Sequence, residues 1–169
     1  LVGNEYRCFV LEHGQTDTFY VNAIHPVIGN TTMLHHLSID IAVTENIPQE
    51  YFGSEGFDCV SAEGVGEMLL GWGPGMTPQR FPEGVGVKIE PTQSFILEMH
   101  YNQGDLTAEE AFDRSGIAMV AYDTAETELV LLESGVRDFL IEAGDPDFTA
   151  SKTIELERKT KVWGVWPHM

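Results

Sequence analysis

The chain has 169 residues, about one domain or one domain plus part of a second. Against 27 Asp and Glu it sets 9 Lys and Arg, a net charge of −18 with histidines neutral, which argues against nucleic acid or an anionic membrane surface as partner. No apolar run approaches the roughly 20 residues of a membrane span. The chain opens on Leu1 and ends on Met169 in mid-pattern, so it reads as an excised piece whose targeting segment, if any, lies outside it.

In chain order, Tyr6 to Leu11 ("YRCFVL") is a short apolar strand, and Thr18 to Ile24 is β-branched and aromatic, closed by His25-Pro26. Leu34 to Thr44 ("LHHLSIDIAVT") alternates in its second half, with Leu37, Ile39 and Ile41 on one face and His36, Ser38 and Asp40 on the other. Residues 46–56 read as loop. Residues 66–86, with "GWGPGM" and "FPEGVGV", hold too much Gly and Pro for regular structure. Ser94 to Tyr101 ("SFILEMHY") is a clear strand, followed by an acidic connector over 104–113. Further short strands are expected at 116–122, 128–132, 138–141, 153–157 and 161–166. With no long amphipathic helix, the expected fold is all-β, an antiparallel, jelly-roll-like β-sandwich.

The stretch "MLHHL" places His35 and His36 side by side in apolar sequence. Neighbouring strand residues point to opposite faces, so either one imidazole is a core residue and the other a surface one, or a β-bulge turns both to one side. In the second case a histidine from a distant strand, such as His100, completes a three-nitrogen metal site suited to copper or zinc. Glu98 and Tyr6 are candidates to fix the imidazoles from behind, or else a solvated acid and a packing aromatic. His13 and His25 read as a solvated turn residue and a strand-end residue. Trp72, Trp163 and Trp166 read as packing. Cys8 and Cys59 are open between free thiols and one disulfide on the residues alone.

Taken in order, "YRCFV", "MLHHL", "GWGPGM…FPEGVGV", "FILEMHY" and the closing "WGVWPHM" resemble the copper type II, ascorbate-dependent monooxygenases, the family of the peptidylglycine α-hydroxylating and dopamine β-hydroxylating enzymes. The resemblance implies two copper-binding β-sandwich domains across an open cleft: the first domain over 1–122, and the opening strands of the second over 123–169. It implies that His35, His36 and His100 hold the electron-transfer copper. His168 matches the first histidine of the second, O₂- and substrate-binding copper. The next ligand would be residue 170, and Met169 occupies a spacer rather than the family's Met position, so the chain alone is expected to be inactive.

The resemblance also pairs Cys8 with Cys59. That bridge closes a loop of about 50 residues, for which the chain-entropy model gives roughly 4 kcal/mol, and it implies an oxidising, secreted, periplasmic or extracellular setting. Arg114 stands where animal members carry a disulfide cysteine, which suits a bacterial-type relative. The implied activity is insertion of one oxygen atom into a C–H bond of a small-molecule or peptide substrate, with O₂ and ascorbate or a similar reductant, in partnership with the second domain. Two other readings use the same residues: a copper-binding module without turnover, and a metal-free β-sandwich interaction domain.

Overall fold

The computed structural model describes residues 3–53, 55–62, 64–102, 104, 106–107, 109–136 and 138–165. The chain divides into two compact units, Leu1–Leu131 and Leu132–Met169. The first unit is all-β, with strands β1 (Asn4–Leu11), β2 (Phe19–Val27), β3 (Leu34–Val43), β4 (Phe57–Asp58), β5 (Glu67–Trp72), β6 (Gln79–Arg80), β7 (Val85–Ile89), β8 (Gln93–Asn102), β9 (Gly116–Tyr122) and β10 (Thr127–Glu128).

These strands make a β-sandwich. One sheet has the order β4-β1-β8-β3-β5; the other runs β10-β7-β2-β6, with β9 also paired to β2. All pairings are antiparallel except the short β10–β7 pair. Period-2 alternation sends Leu37, Ile39, Phe95, Leu97 and Met99 of the first sheet inward, against Val21, Ile24, Val87 and Ile89 of the second. Each such side chain contributes about 1.5–3 kcal/mol by leaving water.

The outer face of the first sheet is covered too. Cys8, Ala42 and Ile96 pack with Ile47 and Cys59, and Tyr51, Phe52 and Phe57 close over them. The covering segment folds through short 3-10 turns at Thr44–Asn46, Gln49–Tyr51 and Cys59–Ala62. It is stapled to β1 by the Cys8–Cys59 disulfide, which spans 51 residues of sequence. Gly56 makes the close approach possible: its φ is +66°, and a Cβ there would lie 2.5 Å from the Cys8 carbonyl oxygen.

Several local expectations change. β2 does not stop at His25 but continues through Pro26 to Val27, pairing with β9. The Gly/Pro-rich 66–86 region contributes β5, the two-residue β6 and the start of β7. β3 offers β5 a ladder, and β2 offers one to β7, and that pairing outweighs weak local propensity. Conversely, the strands expected at 128–132, 138–141, 153–157 and 161–166 do not form among the described residues, Glu128 in β10 apart. A strand needs a neighbour to take its N–H and C=O groups, and the described residues of the second unit, Leu132 onward, form no strand to serve as one.

Within the second unit the Phe139 and Phe148 rings meet at 5.2 Å and Lys161 lies 4.1 Å over the Trp163 ring. Its apolar residues stay open to solvent, Leu140 at 75% and Val165 at 86%. No helix among the described residues is long and apolar enough to cross a membrane.

Candidate metal centre

Three neighbouring strands bring one row of residues together on the outer face of the first sheet. Tyr6 of β1 pairs with His100 of β8, and His100 pairs with His36 of β3. The β3–β8 register shifts between Leu34 and His36. This irregularity leaves His35 without a ladder partner, and it keeps Leu34 facing the core while His36 faces out. Both neighbouring imidazoles thereby reach the side occupied by His100.

The three Nδ1 atoms form a triangle, with 3.1 Å from His35 to His36, 3.1 Å from His35 to His100, and 3.2 Å from His36 to His100. Three nitrogens bound at metal–imidazole distance around one tetrahedral ion stand about 3.3 Å apart, so the triangle fits a single first-row ion. Without a cation three lone pairs would converge, and a proton shared by one pair leaves the third unsatisfied. With Nδ1 turned to the centre, Nε2 carries the proton. His100 Nε2 is buried and has no hydrogen-bond partner among the described residues.

Exposure grades across the site: His35 is exposed, His36 half-buried and His100 buried. Burial first, and the neighbouring His35 second, hold the His100 pKa below the usual histidine value, so this ring stays neutral and its lone pair available. The Tyr6 ring stacks on His100, with centroids 4.1 Å apart and planes 4° from parallel. Glu98 lies one row further along the same face, between Cys8 and Ser38. Its carboxylate, with the sulfurs of Cys8 and Cys59, forms a second close group, but those sulfurs are joined in the disulfide and are not thiolate ligands.

The approach to the histidine pair is anchored by residues the sequence reading did not single out. Asn30 Oδ1 accepts from the backbone N–H of Thr32 and of Met33, both at 3.1 Å, while its Nδ2 donates to the Glu110 and Phe112 carbonyls. Ser115 Oγ accepts from Gly29 N–H at 2.9 Å and donates to Asp113 at 2.8 Å, and Asp113 also accepts from the Tyr101 hydroxyl at 3.1 Å. Burial and the Asp113 carboxylate push the Tyr101 phenol well above its ordinary range, which keeps it a donor. Asn30 in "GNTT" was legible as an Asx turn; Asp113 and Ser115 carry no local signal.

His13 is not solvated as expected: its ring meets Phe19 at 4.9 Å, its Nδ1 accepts from Gln15 N–H, and its Nε2 is buried. His25 is exposed on β2. Trp72 packs on the core and donates to the Met76 carbonyl at 3.1 Å. Trp166, His168 and Met169 lie outside the described residues. A cleft of about 920 Å³ at the far end of β3, bordered by Glu12, Thr44 and Phe52, touches neither the imidazoles nor the disulfide.

The family model for the N-terminal domain of copper type II ascorbate-dependent monooxygenases matches residues 2–108, a span that runs from β1 through β8 and contains all three clustered histidines. The chain belongs to this family. No curated protein matches it. For a copper monooxygenase domain the donor set is apt: imidazole nitrogen binds copper in both oxidation states, and the divalent affinity order places Cu(II) above its neighbours. His35, His36 and His100 are the described residues whose geometry and chemistry fit that ion.

Proposed function

We propose that this domain is the electron-transfer half of a two-copper monooxygenase, with its copper held by His35 Nδ1, His36 Nδ1 and His100 Nδ1. Bound there, copper supplies reversible one-electron chemistry, and the protein supplies placement and tuning. His100 is the fixed member, buried and stacked on Tyr6. The bulge places His35 and His36 against it. His168 is the first ligand of the second copper, in the domain that follows this one. There one oxygen atom of O₂ enters a C–H bond of a small-molecule or peptide substrate and the other leaves as water. The two electrons come from ascorbate or a similar donor. The Cys8–Cys59 bridge and the family support an oxidising, secreted setting.

The observation that carries this reading is the triangle of ring nitrogens inside the matched domain. Copper titration of the purified chain, read by bound-metal analysis beside a His100→Ala variant, tests it. One tight copper per chain, lost or greatly weakened in the variant, is the expected result. An intact chain that takes up no copper would mean that the three imidazoles are structural and that the family membership carries the fold without the chemistry.

A further inference from the structure

A strand at the edge of a sheet presents a row of unpaired N–H and C=O groups, and folded chains blunt such edges by shortness, charge, proline or a bulge. The strands that end the two sheet orders here, β4 and β5 in one and β10 and β6 in the other, follow that rule. β4, β6 and β10 have two residues each, and each includes a charged one, Asp58, Arg80 and Glu128. β5 opens on Glu67, and the register shift in its ladder with β3 places Leu69 as an extra residue in β5 itself.

β9 breaks the rule. Its seven residues, GIAMVAY, include no charge and no proline. It pairs with β2 along one side, and no described strand pairs with the other. The one irregularity in that ladder places the extra residue, Asn22, in β2 and leaves β9 unbroken. Every second residue of β9 therefore turns its N–H and C=O groups away from β2. Apolar surface accompanies them: Val120 is 38% exposed and Tyr122 53%, and Val27, across the ladder from Gly116, is 50% exposed. The chain does not lead its own next strand onto this edge. Tyr20 and Val21 pair with β9 on one side and with β7 on the other, and the next strand, β10, joins β7.

The ends of β9 show what fits beside it. Arg114 stands just before the strand and Asp123 just after it, both exposed. Arg114 lies 5.3 Å over the Phe112 ring, and neither Arg114 nor Asp123 forms an ion pair with a described residue. Asp113, beside Arg114, already accepts from Tyr101 and Ser115. A strand with a cation at one end and an anion at the other complements a second copy of itself run antiparallel; a parallel copy would set like charges together. Two chains of net charge −18 repel one another, and the uncharged β9 edge is a place where they can approach closely.

We propose that β9 is a self-association edge: two copies of this chain join their second sheets by antiparallel β9–β9 pairing, with Arg114 of each copy against Asp123 of the other. The inference is independent of the copper reading, because the three imidazoles lie on the first sheet. An interface built on one strand pair falls at the small end of the range, below about 1,200 Å², so the dimer is weak and forms with rising concentration.

Sedimentation equilibrium of the purified chain, from micromolar to millimolar concentration, tests it. The mass should rise from that of one chain to that of two, and 1 M salt, at which the Debye length is about 3 Å, should weaken the association. Val120→Lys sets like charges across the paired edges and should raise the dissociation constant about tenfold or more. Arg114→Asp should raise it about tenfold, and so should Asp123→Arg, although the second change reduces the overall negative charge. The double variant Arg114→Asp/Asp123→Arg should return it close to the native value. Both positions lie outside the strand and are exposed, and an unchanged unfolding midpoint in dilute solution confirms that each variant is folded. A chain that stays monomeric at every concentration would overturn the proposal. So would a dimer that all these variants leave equally tight, which would have formed elsewhere, or single charge changes whose effects the double variant does not reverse.

Discussion

The two faces of β8 come from the same ten residues but are buried for different reasons. Inward, Phe95, Leu97 and Met99 meet the second sheet, and apolar area is the whole of their contribution. Outward, Ile96 lies beneath the disulfide-stapled 44–62 segment, Glu98 sits between Cys8 and Ser38, and His100 faces His35, His36 and Tyr6. His100 at 7% exposed is buried almost as fully as Leu97 at 5%. Depth therefore does not separate core from site; the partners do. A row of apolar neighbours makes a core residue, and a cluster of convergent nitrogens makes a candidate metal centre.

The comparison is broken most strongly from the inner side. Leu37→Ala removes a fully buried side chain from the core and is expected to cost about 2–5 kcal/mol, read by denaturant unfolding, while copper per folded chain stays the same. On the outer side, replacing Cys8 and Cys59 together by Ser releases the covering segment. The expected loss is roughly 4 kcal/mol by the chain-entropy model, seen as a lowered unfolding midpoint that reductant no longer changes.

Smaller effects sharpen the contrast. Tyr6→Ala removes the ring stacked on His100 and should cost about 0.5–1.5 kcal/mol; copper should still bind, more weakly, by competition titration. The last prediction concerns pH. Because the folded chain holds the His100 pKa below its ordinary value, the unfolded chain binds the extra proton first. Stability of the metal-free chain should therefore fall as pH drops below about 6.5, the ordinary histidine value, and His100→Gln should flatten that fall in a pH series of unfolding curves. Copper affinity should weaken over the same range in the native chain, because protons compete for the three imidazoles.

How much of this was legible before folding depends on whether the signal was local. The alternation of Leu37, Ile39, Leu97 and Met99 announced the inner faces of β3 and β8, because side-chain direction in a strand follows from its period of two. The parity conflict at His35 and His36 left a bulge as one of two readings, and only the β3–β8 register shift decided for it. β5 and β7 were hidden by Gly and Pro, and exist because β3 and β2 offer them ladders. The strands expected after Glu128 failed for the converse reason: their local pattern was adequate and the second unit supplied no described strand as partner.

The sequence by itself determined the all-β class, the family resemblance and the candidate ligands, because each is written in residue types and short spacings. Only the tertiary structure decided that β1, β8 and β3 lie side by side, so that Tyr6, His100 and His36 share one row. It also decided that Asn30 ties the Thr32–Met33 backbone to the Glu110 and Phe112 carbonyls, and that His13 is wedged against Phe19 rather than solvated. Apart from the His13–Phe19 contact, which spans six positions, these facts rest on contacts between residues tens of positions apart. Such contacts are set by which strands find each other in the sheet, and no local propensity encodes that choice.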